Sequence, residues 1–361
     1  MEYAEVTTGA PDAESPSPWI MSGWIDLLLI CGGLPWLLAG TNALLQTTRS
    51  ERMLAGLSVL GVVLTYLFSN PHTMATLVRV SWTEEARARF RFYASTLVLP
   101  CLALCAVGLA FEQTIPILLL AYLVWVIQHY SSQCYGITLI YCYKRGYPLG
   151  GTHKTLIRLL YQLTAAVAIL RRFTWPDWGA RYFLSYHVPE WGPLPAPILA
   201  VTTAGLALVG AANVIQTART AIATRRMIPA PALVLIGSTV SFLLMSGWFS
   251  GLVWLYVPAV FHGSQYLAVA ASYHFKDTPR APTRAIMWDA LRSSAGGFYL
   301  LLLVLGGAFI YVGMPRILEE MGLKYSAAMA SIFAVVNFHH FVTDRAIWRL
   351  RDPRTREILL A

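Results

Sequence analysis

The stretch "AVVNFHHFVTDRAIWRLRDP", residues 334–353, decides how the chain is read. It begins as an apolar helix and ends as a basic tail, with His339, His340 and Asp344 in between. An ionisable side chain is costly in hydrocarbon. Inside a membrane span it faces the bundle interior or water, and it marks a functional site. If this helix crosses a bilayer, its imidazoles and carboxylate are the first candidates for chemistry.

The rest of the sequence supports the membrane premise. The chain is 57% apolar and 12% charged, with a mean hydropathy of +0.55. A soluble domain carries about twice that charge. The net charge of +9 does not point to nucleic acid, because Lys and Arg fall in short loops between apolar runs rather than on one soluble face. The five cysteines, Cys31, Cys101, Cys105, Cys134 and Cys142, lie in or beside apolar segments and form no CxxC. They read as small buried hydrophobes, with neither a disulfide framework nor a thiolate metal site.

A bilayer span needs about 20 apolar residues, and about ten runs qualify. They begin near Ile20, Met53, Ser95, Thr114, Thr155, Ala196, Pro229, Ser250, Gly297 and Ser326. The expectation is an all-α, polytopic bundle of about ten transmembrane helices over residues 20–348. It is flanked by a flexible acidic tail, 1–19, and a basic tail, 349–361. With the N-terminus inside, the inner loops hold Arg87, Arg89 and Arg91, then Lys144, Arg145 and Lys154, then Arg219, Arg225 and Arg226, then Lys276, Arg280, Arg284 and Arg292. The positive-inside rule then puts both termini in the cytoplasm, with Arg171, Arg172 and Arg181 as the exception. "SWTEEARARFRF" carries a capping-box pattern, Ser81 to Glu84, and "TRAIMWDALRSS" reads as an amphipathic surface helix. Ala327 with Ser331, and Ala330 with Ala334, have the spacing of small residues that let membrane helices approach closely.

Of eight histidines, His153 and His187 read as loop residues and His274 as a helix end. The other five, His72, His129, His262, His339 and His340, lie inside apolar spans. On the topology above, their spans all run from outside to inside, and each imidazole falls roughly 10 to 20 Å from the inner end. The neighbours are polar at helical spacing. Gln133 follows His129 by four, Gln265 and Tyr266 follow His262 by three and four, and Asp344 follows His340 by four. Asn70 precedes His72 by two, as Asn337 precedes His339. Such groups fix the tautomer and orientation of a metal-binding imidazole. Glutamines and histidines could equally bond one another with no metal present. Pro71 and Pro258 interrupt two of the carrier spans, and the carbonyls they free are tolerated beside a cavity.

Several neutral imidazoles with one carboxylate suit Fe, Cu or Zn better than Mg or Ca. A buried histidine site reached from lipid favours oxygen chemistry on an apolar substrate over hydrolysis. Nearby aromatics, including Trp125, Tyr130, Tyr135, Trp254, Tyr256, Phe338 and Phe341, could line a hydrophobic pocket, although core filling accounts for most of them. There is no P-loop and no GxGxxG between strand and helix, and the HxxHH boxes of membrane desaturases are absent.

In its layout of single intramembrane histidines on several helices, with "NPHT" at His72 and "FHGSQY" at His262, the chain resembles the bacterial carotene-cleaving dioxygenases related to the bacteriorhodopsin-related protein. The resemblance implies a polytopic fold in a bacterial inner membrane, a non-haem iron held by histidines, and a lipid or isoprenoid substrate. Metal ligands are then expected at His72, His129, His262 and His339, with His340 as the alternate. Asp344, Gln133, Gln265, Tyr266, Asn70 and Asn337 stand behind them. The sequence leaves open whether a redox partner is used. Three other readings stay open: b-type haem between two of the histidines, a metal-free transporter or proton relay through His, Asp344 and Arg79, and a scaffold subunit.

Overall fold

The computed structural model describes residues 17–48, 51–175, 182–189, 192–245, 252–277 and 293–361, with side chains given outside 48 and 252–255. Most of the acidic N-terminal tail, nearly all of "TRAIMWDALRSS" and the side chain of Trp254 lie outside them. The described chain is an all-α bundle with a single two-residue hairpin. In chain order its elements are α1 (Gly23–Ile30), α2 (Gly33–Thr48), α3 (Glu51–Ser81), α4 (Glu84–Arg89), α5 (Phe92–Ala110), α6 (Ile115–Lys144) and α7 (Gly151–Thr174). The hairpin β1 (Tyr182–Phe183) and β2 (Tyr186–His187) comes next. Then come α8 (Ala196–Thr224), α9 (Ala230–Met245), α10 (Leu252–Lys276), α11 (Ser294–Glu320), α12 (Tyr325–Ile347) and α13 (Pro353–Leu360).

Each of the ten expected span starts is matched by a helix, but not all of these helices are span-like. Among the described residues six helices are long and apolar enough to cross a membrane, and the count is seven if α1 and α2, bent by 53°, are one span. α9 is apolar but has only 16 residues. The outer surface is apolar where a soluble protein would be charged. On α8, Val201, Leu208, Val214 and Ile222 are each at least 70% exposed. A surface of that kind is at rest only against lipid chains.

α10 packs on α1, α2 and α3, and α12 packs on α3, α5, α6 and α11, while α7 and α8 pack on each other and α7 also meets α6 and α9. The small-residue stripe on α12 packs as its spacing predicts. Ala327, Ala330, Ser331 and Ala334 are buried, and Gly108 on α5 sits so close that a Cβ there would lie 2.5 Å from Ser331 Oγ. A second close approach had no pattern to announce it. Residues 65–69 of α3 form a π-helical turn that runs into Asn70 and Pro71. The backbone of that turn is pressed between two glycines. A Cβ on Gly263 would stand 2.5 Å from Phe68 O, and one on Gly307 would stand 2.7 Å from Asn70 C. A π turn adds a residue to the helix and rotates the next segment about the axis, and such turns gather at functional sites. Here the turn and both glycines set the position of His72.

Two expectations are corrected, the cap of α4 and the place of His153, and the basic tail is found to be packed. The cap of α4 is Thr83, whose Oγ1 accepts from Ala86 N at 3.0 Å, while Ser81 bonds back to Leu77 O within α3. Extended backbone at Thr83, not at Ser81, starts the helix. Residues 349–361 are not a free tail. Asp352 caps α13 through Thr355 N, Leu359 is buried against the bundle, and Asp352 pairs with Arg89 at 2.5 Å. His153 is not in a loop but in the first turn of α7, fully buried, with Nε2 3.2 Å from Thr217 Oγ1. All five cysteines are free, as their spacing implied.

The glycine contacts make a direct prediction. Gly263→Ala or Gly307→Ala pushes a methyl into backbone and should cost about 1–3 kcal/mol. Gly297→Ala meets no atom within 4 Å and should stay within about 0.5 kcal/mol of the parent. Thermal unfolding of the three variants in detergent checks the order.

Candidate metal centre

The four carrier helices bring their imidazoles to one point. His72 comes from α3, His129 from α6, His262 from α10 and His340 from α12, and all four are buried. Ring centres are 4.8 Å apart for His72–His262, 4.6 Å for His72–His340, 4.8 Å for His129–His262, 4.9 Å for His129–His340 and 5.9 Å for His262–His340. Two imidazoles bound at about 2.0–2.1 Å to one tetrahedral metal place their ring centres about 5 Å apart. The spacing is that of ligands around a single ion. In each of the sets His72–His262–His340 and His129–His340–Asp344, the donor atoms lie within 4.8 Å of one another.

Their hydrogen bonds leave the right atoms free. His72 Nδ1 bonds to the Ser69 carbonyl, three residues back across the π turn, and His72 Nε2 has no partner. His340 Nδ1 lies 2.7 Å from Thr76 Oγ1, and His340 Nε2 has no hydrogen-bond partner. Thr76 donates its one proton to Asp344 Oδ1 at 3.0 Å, so it accepts from His340 Nδ1–H. For His72 and His340 the proton therefore sits on Nδ1, and the Nε2 lone pair is offered to the centre. His129 Nε2 and both nitrogens of His262 are also buried without a partner. Buried polar atoms are nearly always bonded, so this many orphaned nitrogens around one point call for a ligand.

Asp344 completes the ring of donors. Its Oδ1 accepts from Thr76 and from Tyr266 OH at 2.9 Å, and Trp348 Nε1 donates to that tyrosine oxygen at 3.1 Å. Its Oδ2 faces inward, 3.4 Å from His340 Nε2 and 3.8 Å from His129 Nε2. Among the described residues no Lys or Arg pairs with it. Arg79 instead lies over the Tyr273 ring at 3.9 Å, so the expected His–Asp344–Arg79 relay is not connected. A carboxylate buried away from water is stabilised by a proton or by a cation, and a metal held by the surrounding imidazoles would supply the cation. The residues present therefore fit a metal ion, with Asp344 as a candidate ligand rather than only a supporting group.

The tandem pair resolves the other way from the sequence expectation. His340, expected as the alternate, is in the cluster, whereas His339 turns to α5, where its Nε2 meets Tyr93 O at 2.8 Å. Adjacent helical residues point about 100° apart, so only one of the two can face the centre. Gln133 and Gln265 bond each other at 3.0 Å, and further to His262 O and Ile30 O, rather than to an imidazole nitrogen. They tie α6, α10 and α1 together behind the site. Asn337 donates to Tyr311 OH at 3.3 Å and to Phe333 O at 2.8 Å. Asn70 and Asn337 both line a small cavity on the far side of the histidines from Asp344. Thr76 and Trp348 were not expected. Each stands four residues after a singled-out residue, His72 and Asp344, and that spacing would have found them.

Of the aromatics, Phe341 packs 4.4 Å from His129 and Tyr130 stacks 4.3 Å from His262. Trp125 lies 5.6 Å from both Phe338 and Phe341. Tyr135 and Tyr256 are directed elsewhere, against Tyr161 and Gly61.

His340→Ala should lower metal retention of the purified full chain at least tenfold, while His339→Ala should leave it within about twofold. Thr76→Val and Tyr266→Phe should each weaken it about 10–100-fold, the usual cost of losing a group that orients a ligand. Elemental analysis after dialysis against a graded chelator measures all four. No protein-family model, curated protein or solved structure matches this chain.

Proposed function

We propose that this chain is an integral membrane oxidoreductase. In this reading it holds a non-haem iron between His72, His129, His262, His340 and Asp344 and acts on a lipid- or isoprenoid-type substrate. The observation that carries the proposal is the meeting of unpartnered imidazole nitrogens with a carboxylate that has no Lys or Arg partner among the described residues, in the interior of an apolar bundle. Imidazoles with one carboxylate suit iron, copper or zinc. Iron is preferred because bound iron supplies a redox change and open coordination positions that these side chains lack, which suits chemistry on an apolar molecule. The side chains themselves orient the ion, balance its charge and keep bulk water away.

Two features favour this reading over its competitors. The two cavities described beside the cluster each have a volume of about 10 Å³, far smaller than a porphyrin. An aromatic series also leads from the lipid-facing side to the centre. Trp125, 38% exposed, contacts Phe341, and Phe341 contacts His129. An apolar chain from the bilayer would reach the metal along this edge, between α6 and α12. We place both termini in the cytoplasm of a bacterial inner membrane, on the distribution of loop arginines.

The test is metal analysis with an optical spectrum on the purified full chain, followed by oxygen uptake in vesicles containing isoprenoid or unsaturated lipids. The expected result is about one iron per chain, no Soret band, and lipid-dependent oxygen uptake that falls at least a hundredfold in His72→Ala. A folded preparation that takes up no iron, or a strong Soret band, overturns the proposal.

A further inference from the structure

Resting on the metal reading above, we infer that the cavity on the far side of the histidines from Asp344 binds one neutral diatomic ligand of the metal, whose outer atom meets tyrosine hydroxyls. The cavity is bounded by His72 and His262 on one side and by Tyr122, Tyr130, Tyr311 and Asn337 on the other. Its volume of about 10 Å³ holds about one water-sized molecule. That size excludes a lipid chain, so the apolar substrate and this ligand occupy different places.

Position ties the cavity to the centre. His72 Nε2 and both nitrogens of His262 lack partners, and both rings form its wall. On α12, Asn337 stands one turn before His340 and Asp344 stands one turn after it. The two polar groups are therefore about 10 Å apart along the axis, with the histidine layer between them. A ligand in the cavity approaches the metal from the side away from the carboxylate. Asp344 cannot compete for that position, because Thr76 and Tyr266 hold its Oδ1 on the opposite side.

The lining sets the chemical class. The wall contains hydroxyl and amide groups and no Lys, Arg, Asp or Glu. No fixed charge attracts an anion. A neutral diatomic that gains electron density at its outer atom on binding is met by hydrogen-bond donors instead. Tyr311 OH already accepts from Asn337 Nδ2, so its own proton can point elsewhere. Tyr130 lies nearly parallel to His262, with 25° between the planes, and has its edge in the same cavity. Tyr130 and Tyr311 are thus positioning residues for the ligand, not ligands of the metal.

Nitric oxide is the probe, added anaerobically to the full chain in detergent after loading with iron(II). Iron content is measured first. If no iron is retained, the metal reading fails at that step and this inference falls with it. On iron-loaded protein, one nitric oxide per iron is expected. Tyr130→Phe and Tyr311→Phe should each shift the N–O stretching band, and Phe333→Trp, which thickens the cavity wall, should weaken nitric oxide binding at least tenfold at unchanged iron content. The tyrosine variants remove one oxygen each and keep the test alive should Phe333→Trp fail to fold. Iron-loaded protein that binds no nitric oxide would mean a water pocket only. Binding with the same affinity and the same band in every folded variant would place the ligand outside this cavity. Either result overturns the inference.

Discussion

A carboxylate and four imidazoles taken out of water impose the constraint around which this bundle is built. Their cost in an apolar interior amounts to several kcal/mol unless each polar atom finds a partner. The chain meets part of that demand itself. Thr76 and Tyr266 occupy the outer oxygen of Asp344, Trp348 donates to the Tyr266 hydroxyl, Thr76 also takes the Nδ1 proton of His340, and Ser69 takes that of His72. What remains without a partner at the cluster is His72 Nε2, His340 Nε2, His129 Nε2 and both nitrogens of His262. Neutral imidazoles each offer one lone pair, so a cation placed among them would be met by several acceptors, while the N–H of His262 is a donor still to be satisfied. Such a set of acceptors fits a cation site.

Positioning those acceptors is the work of backbone more than of side chains. Gly263 is next to His262 in sequence, and the surface it leaves bare is where the π turn of α3 lies. Gly307 admits the same segment from the opposite side, on α11. Because the turn is held from two sides, His72 is set against His262 and His340 without help from a long side chain. Gln133 and Gln265 act in the same way, through backbone carbonyls of α10 and α1. The site is rigid because helices are locked around it, and this suits a centre whose donor atoms must sit within a fraction of an ångström of their working positions.

The centre is also polarised along the bundle axis. On one side the carboxylate, Thr76, Tyr266 and Trp348 form a closed hydrogen-bonded set. On the other, tyrosines and asparagines surround a space of the size of one small molecule. The apolar edge through Phe341 to Trp125 approaches His129 from a third direction. On the proposed function, charge balance, small-ligand binding and access for an apolar molecule would fall to three different faces of one cluster.

Composition and apolar run length were enough to read an all-α membrane-type chain, because a bilayer demands about 20 apolar residues per crossing whatever the tertiary structure does. The cost of ionisable groups in hydrocarbon likewise singled out His72, His129, His262, Asp344 and the 339–340 pair on residue type and position alone. Two things could not be read from one dimension. Run length alone gave ten candidate spans, whereas among the described residues six helices, or seven with the bent pair, meet the length and hydropathy of a crossing and α9 has only 16 residues. Nor could periodicity choose between His339 and His340, since both lie inside the span and the 100° between them matters only once the neighbouring helices are in place. Residue chemistry along the chain determined which groups had to be compensated. Only the packing of α3, α6, α10 and α12, set by glycines and a π turn with no sequence period, decided which of them compensate one another.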